Sequence, residues 1–316
     1  MTKKLVPKGE KGKDLYAKEN VSYVLMCLPV VIKTLIFSIL PLLWLVMAFE
    51  NYKGFQGIFG SEWVWFQNFE YFFRSEIIWH VIWNTIALNF LFILVGTPST
   101  ALMAMLMFEM KNRFATKLFQ TIYFIPYLIS WTVAQYCVEG ILGANGLINS
   151  VLTSLSLDTV KFYDAANAHA WPWILLICNI WKGQGYAIIM DYASLSGMDT
   201  ELFEAAELDG ANRGQRMWYI SLPHLRKIIA ILLIMSLGGI FRSDFGLFWF
   251  IPKNDSDRAL LETTEVLDTY IYQLSIRETD YSAGTAIGLV QSVVGTVVLL
   301  FSNWIVKKID KDSAFV

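Results

Sequence analysis

The chain has 316 residues, 55% of them hydrophobic and only 16% charged, with a mean hydropathy of +0.47. A soluble domain is about a quarter charged, so the composition argues against a water-soluble globule, and no nucleic-acid partner is expected. The formal net charge of −2 says little as a total, but its distribution along the chain says more.

The apolar residues gather into runs of the length a bilayer core requires of a helix. Six spans can be drawn, at roughly 22–48, 79–107, 118–140, 169–191, 227–250 and 284–306. The first follows a polar, lysine-rich tail (1–21) and is too long for a cleaved signal peptide, so it reads as an anchor that stays in place. It contains Pro29, Lys33 and Pro41, with Lys33 placed to snorkel toward the interface. The loop after it carries Trp63, Trp65, Phe66, Phe69, Tyr71, Phe72 and Phe73. That cluster reads either as an interfacial aromatic belt or as a docking surface for an external protein. Cys27, Cys137 and Cys178 all fall inside apolar runs, as small core hydrophobes rather than a disulfide framework.

Cations fix the expected orientation. Lys3, Lys4, Lys8, Lys11, Lys13 and Lys18 precede the first span, and Lys111, Arg113 and Lys117 follow the second. Arg213, Arg216, Arg226 and Lys227 follow the fourth, and Lys307, Lys308 and Lys311 follow the sixth. The alternate loops are poorer in cations or dominated by acids, so both termini are expected on the cytoplasmic side. The fold expected is an all-α integral membrane protein, a six-span domain over 22–306 with a cytoplasmic tail at 307–316.

Between the fourth and fifth spans, at about 195–225, lies a cytoplasmic loop. Asp199 or Thr200 suits an N-cap, Glu201 suits the positive end of a helix dipole, and Gly210 suits a C′ stop with positive φ. Leu202, Ala205, Ala206 and Leu208 are placed broadly on one side, and Pro223 marks a second break. A helix lying on a membrane surface would carry more Lys and Arg and bulkier apolar residues. This one is acidic with an Ala-Ala face, which points to protein contact.

Inside the spans, polar residues are expensive and default to functional candidates. The fourth supplies Trp181, Lys182, Gly183, Gln184 and Tyr186; the fifth supplies Ser236, Gly239, Arg242, Ser243 and Asp244. Hydrogen-bonding groups beside flat aromatic faces, with glycines leaving room, suit a sugar. The competing reading is a Lys182–Asp244 ion pair between helices and glycines that serve packing. His80, His169 and His224 have no metal-ligand spacing, and no Gly-x-x-x-x-Gly-Lys phosphate loop is present.

The loop carries Glu204-Ala205-Ala206, three residues, Gly210, nine residues, then Ile220-x-Leu222-Pro223. This pattern resembles the signature of ABC importer permeases, the inner-membrane components of binding-protein-dependent transport. The resemblance spans nearly the whole chain. Asn179-Ile180-Trp181-Lys182-Gly183-Gln184-Gly185-Tyr186 is similar to a stretch of the maltose-transporter permeases that faces the sugar. Gly238 to Phe245, Asp268 to Tyr272 and Asn303 to Lys308 resemble the carbohydrate-uptake subgroup of the LplB type. Phe250-Ile251-Pro252 stands where many sugar permeases carry Gly-Gly-Pro.

The resemblance implies a transport subunit, not an enzyme, in a bacterial plasma membrane. In that family Glu204, Ala205, Ala206, Gly210, Ile220, Leu222 and Pro223 would belong to a coupling helix and its flank, docked on an ATPase. It implies a second homologous permease, two ATP-binding subunits that hold ATP and Mg, and an extracytoplasmic solute-binding protein. The expected cargo is an oligosaccharide. A permease for another solute and an ion-driven secondary transporter are the alternatives; interrupted inverted repeats would mark the latter.

Overall fold

The computed structural model describes residues 11–254 and 258–309; Lys3, Lys4, Lys8 and Lys311 of the expected tails lie outside them. α1 (Lys11–Thr34) begins within the stretch expected to be tail. It runs on through a π turn at Leu35–Ile39 and a 3₁₀ stretch at Leu40–Phe49. Pro41 accounts for the change of gauge, because its ring crowds the carbonyl of Phe37 inside the π turn. From Val21 to Leu45 the described side chains are exposed, and only the last turn, with Met47 and Ala48 buried, leans on the chain's final helix.

A short antiparallel pair, β1 (Glu50–Asn51) with β2 (Glu62–Trp63), leads into α2 (Gln67–Arg74) and then α3 (Glu76–Phe108). The aromatic cluster here divides. Phe69 and Phe72 are buried, whereas Trp63, Trp65, Phe66 and Phe73 are exposed, with Phe49 stacked on Trp63 at 6.0 Å. Part of what read as a belt or docking face is therefore local core.

The third expected span, 118–140, is not one helix. α4 (Arg113–Leu128) ends two residues after Pro126, and Ser130 caps α5 (Trp131–Leu142) by accepting the Val133 N–H at 3.2 Å. After α6 (Leu147–Ser154) comes α7 (Trp171–Ser196), entered through a 3₁₀ turn at Ala165–Ala170. Trp171 at its start is fully buried and donates its indole N–H to the Phe162 carbonyl at 2.7 Å.

α8 (Thr200–Leu208) and α9 (Arg213–Arg216) follow; α9 runs through a π turn at Met217–Ser221 into α10 (Leu222–Gly238). Contrary to the expectation from sequence, Pro223 does not break the helix. The preceding turn widens, and Leu222 N–H donates to the Met217 carbonyl, five residues back. The fifth expected span, 227–250, is also corrected. The helix is Arg213–Gly238, and residues 239–244 form a turn before α11 (Phe245–Phe250). α12 (Leu261–Thr264), α13 (Leu267–Tyr272) and α14 (Tyr281–Ile309) complete the chain.

Among the described residues, four helices are long and apolar enough to cross a membrane: Tyr23–Phe49, Glu76–Phe108, Arg213–Gly238 and Tyr281–Lys308. α7, with 26 residues, has the length, but Asn179, Lys182, Gln184 and Asp191 interrupt it. α3, α4 and α7 pack together, as do α10 and α14. A Cβ added at Gly185 would lie 2.0 Å from the Tyr123 carbonyl oxygen, so α4 and α7 touch backbone to backbone. All three cysteines are free. Only Cys178 is in the core; Cys27 and Cys137 are exposed, contrary to expectation.

Candidate functional site

α3, α7 and α10 enclose a cavity of about 410 Å³. Five of the ten span residues singled out from sequence line it: Gly183, Gln184, Ser236, Gly239 and Arg242. Gln184 is buried and tied to α3, donating to the Ser99 hydroxyl at 2.6 Å and the Gly96 carbonyl at 3.3 Å. The glycines divide by role. Gly183 faces the cavity, where an added Cβ would only approach Asn179 Oδ1 at 3.4 Å; neighbouring Gly185 serves helix contact.

The other five, Trp181, Lys182, Tyr186, Ser243 and Asp244, are not in the cavity wall. Tyr186 stacks on Tyr127 at 5.7 Å and is half exposed, as is Trp181. Lys182 and Asp244 meet through Trp131 instead of forming an ion pair. The ammonium lies 4.6 Å over the ring, and Asp244 accepts the indole N–H at 2.7 Å. Asp244 also N-caps α11, accepting from Gly246 N–H at 2.9 Å.

The turn at 239–244 is held from three sides. Asn89 of α3 donates to the carbonyls of Ile240 at 2.9 Å and Arg242 at 3.2 Å, and to the Ser243 hydroxyl at 2.9 Å. Asp268 of α13 accepts the Ser243 N–H at 2.7 Å, and Gln291 of α14 donates to the Phe241 carbonyl at 2.5 Å. Burial holds the Asp268 carboxyl above its usual range, opposed by the Ser243 N–H and by a bond from Gln291 to Asp268 itself at 3.2 Å. Backbone outside regular helix needs such partners for its free N–H and C=O groups. Asn89, Gln291 and Asp191 were not singled out from sequence. Each is a polar residue within or at the edge of an apolar run, and that signal alone identifies them.

The 195–225 loop is a built structure. Asp199 is its N-cap, accepting the Glu201 N–H at 3.0 Å. At the other end Gly210 takes φ +81°, Ala211 N–H donates to Ala206 O at 2.9 Å and Gly210 N–H to Glu207 O at 3.2 Å, a Schellman stop. The expected apolar side of α8 splits. Phe203 turns inward, edge-on to Phe108 at 5.1 Å, with Ala206 partly covered, whereas Leu202, Ala205 and Leu208 are exposed. Glu204 is exposed as well. Ala206, Gly210 and Ile220 share one surface pocket of about 340 Å³ with Arg216; Leu222 and Pro223 stand beyond it at the start of α10.

Arg216 was read only as an orienting cation, yet it ties the loop together. Its guanidinium grips Glu109, at the end of α3, from Nε at 3.2 Å and Nη2 at 2.5 Å, with side chains only 9% and 7% exposed. Glu207 of α8 lies 3.9 Å from Arg216 and accepts from Lys111 at 3.0 Å. That Lys111 hydrogen bond is the first cause holding the Glu207 carboxyl below its usual range.

Comparison with known proteins fits this geometry. LplB of Bacillus subtilis (strain 168) is 31% identical over 98% of this chain and 99% of its own length. The polygalacturonan/rhamnogalacturonan transport system permease protein YteP of the same organism is 30% identical over 98% of this chain and 95% of its own. A crystal structure of a bacterial alginate ABC transporter, in complex with an alginate pentasaccharide-bound periplasmic protein, matches with a TM-score of 0.81 at 32% identity. It covers 95% of this chain and 98% of that one. Residues 82–311 match the family described as binding-protein-dependent transport system inner membrane component, and the chain belongs to that family.

Proposed function

We propose that this chain is the permease subunit through which an ATP-driven, binding-protein-dependent importer carries an oligosaccharide across a bacterial plasma membrane. The observation that carries the proposal is the construction of α8. It is a capped helix stopped by Gly210 at positive φ, fixed to α3 through Glu207, Lys111, Arg216 and Glu109, with Leu202, Ala205 and Leu208 left outward. An exposed apolar strip on a firmly anchored helix suits a protein that pushes on it. Glu204, Ala205, Ala206, Gly210, Ile220, Leu222 and Pro223 form this loop and its flank. In this reading the push comes from two ATPase subunits, which also hold ATP and Mg.

Six spans fit the chain: the first helix, α3, the broken pair α4 and α5, α7, Arg213–Gly238 and α14. The lysine and arginine distribution supports cytoplasmic termini and a cytoplasmic α8. A second permease completes the pathway, and an extracytoplasmic binding protein delivers cargo. The cavity between α3, α7 and α10 is this chain's share of that pathway, with Gly183, Gln184, Ser236, Gly239 and Arg242 in contact with cargo. Trp181, Lys182, Tyr186, Ser243 and Asp244 serve the frame around it. The polysaccharide cargo named for YteP and for the alginate transporter supports a carbohydrate.

The test is ATPase activity of the purified complex in nanodiscs, with its binding protein and a panel of glycans. Stimulation by an oligosaccharide is expected. Stimulation only by an amino acid, phosphate or lipid would remove the sugar, and a complex whose transport proceeds without ATP would remove the proposal.

A further inference from the structure

Asp191 of α7 is 1% exposed, lines the same cavity, and has an Oδ1 with no hydrogen-bond donor among the described residues. Thr100 of α3 shares that wall, its hydroxyl donating to the Thr97 carbonyl at 2.9 Å. A buried carboxylate oxygen left without a donor is a rare and costly arrangement, and each instance asks for an explanation. Arg242 is the only cation among the described residues of the wall, and it stands at the far end. Asn89, which binds the Arg242 carbonyl, and Thr100 are eleven residues apart on α3, about 16 Å at 1.5 Å per residue. The two charges therefore do not neutralise one another. Between them lie neutral groups: Asn179, Gln184, Ser236 and Gly183.

We propose that Asp191 is a sugar-hydroxyl acceptor that sets the charge class of the cargo, passing neutral, hydroxyl-rich oligosaccharides and opposing uronate-bearing ones. The inference rests on the pathway reading above and narrows it. A carboxylate accepts two hydrogen bonds side by side, which matches adjacent hydroxyls of a pyranose or furanose ring, and charge-assisted bonds of this kind are the strong ones. The same carboxylate in a low-dielectric cavity repels a second carboxylate, and among the described residues of the wall no cation at this end offsets it. The acidic cargo named for two relatives thus does not carry over to this chain.

The test uses the assembled transporter in nanodiscs, with Cys27 and Cys137 replaced by serine and Ser236→Cys introduced as a reporter in the cavity wall. Alkylation of that cysteine is followed in the presence of a neutral pentasaccharide such as arabinopentaose, or of an alginate pentasaccharide. The neutral sugar is expected to protect at about tenfold lower concentration than the uronate. Asp191→Asn is expected to shrink that gap to about twofold or less, by weakening the neutral sugar and admitting the acidic one. Asp191→Ser, smaller and also uncharged, serves as the second variant. Equal protection by both sugars before substitution overturns the charge assignment while leaving the pathway reading standing. An unchanged gap in both variants overturns the role of Asp191. Protection by neither sugar overturns the pathway reading and the inference with it.

Discussion

Replacing Arg216 by methionine removes one half of a covered ion pair and leaves the other in place. Glu109 then keeps a carboxylate that is 7% exposed, without the two donors that now reach it at 3.2 and 2.5 Å. Removing one member of a buried pair costs about 3–5 kcal/mol. This pair is covered but adjoins Lys111 and Glu207, both largely in water, so the expected cost is nearer about 2–3 kcal/mol. Thermal unfolding of the purified complex should report it as a midpoint about 3–5 °C lower. Glu109→Met leaves Arg216 with the Ala211 carbonyl at 3.5 Å and Glu207 at 3.9 Å, so its effect should be smaller, about 1–2 kcal/mol. The double variant should recover about 2 kcal/mol relative to the sum, because two apolar chains can replace a buried pair at little cost. Transport should fail differently, with ATP hydrolysis continuing and cargo stimulation lost in all three variants. Single variants within about 0.5 kcal/mol of the parent, or strictly additive effects, would refute the strut.

Three further outcomes follow from the same geometry. An added Cβ at Gly210 meets nothing within 4 Å, so its requirement is backbone conformation and not space. Gly210→Asn should keep cargo-stimulated ATPase activity, whereas Gly210→Val should lose it at a cost of about 1–2 kcal/mol. Gly185→Ala forces α4 and α7 apart and should abolish a folded complex by size-exclusion chromatography, while Gly183→Ala, with room at 3.4 Å, should assemble. Burial, opposed by Arg258, the Gln273 hydrogen bond and His80, pushes the Glu265 carboxyl up to about 6 from 4.5. The protonated form is favoured in the fold, so its stabilisation is complete below pH 4.5 and is lost as pH rises through about 6. The loss is about 1–2 kcal/mol, and Glu265→Gln should flatten that part of the stability profile.

Helix α8 was legible because its determinants are local: Asp199 caps, Gly210 stops, and no distant residue is needed for either. Spans one, two and six were legible for the same reason, since length and apolarity decide them; α7 stands at the place of the fourth, but its polar residues keep it short of that apolarity. The breaks at 129–130 and 239–244 were not. A run of apolar residues reads the same whether the helix continues or turns, and these turns exist because Ser130, Asn89, Asp268 and Gln291 supply the backbone's missing partners from elsewhere. Arg216 was read as one more cation in a topological count because its partner, Glu109, is 107 residues away. The ion pair weighed for Lys182 and Asp244 does not form, and each meets Trp131 instead. Their junction at Trp131, from a third helix, has no trace in their spacing.

Gly185 also has a mechanical consequence. With α4 and α7 in backbone contact there, and Gln184 bonded to Gly96 and Ser99 of α3, three helices are riveted into one block. Any widening of the cavity then falls to α10, whose two ends are its irregular points: the π turn at Met217–Ser221 and the turn after Gly238. The first of these adjoins Arg216, so a pull on α8 reaches the hinge before it reaches the cavity. Spin labels on α3 and α7 should keep their separation between nucleotide-free and ATP-bound states, while a pair on α7 and α10 should change. A changing α3–α7 distance would unmake the block, and the transporter would have to be thought of as flexible throughout rather than as a fixed wall with one moving slat.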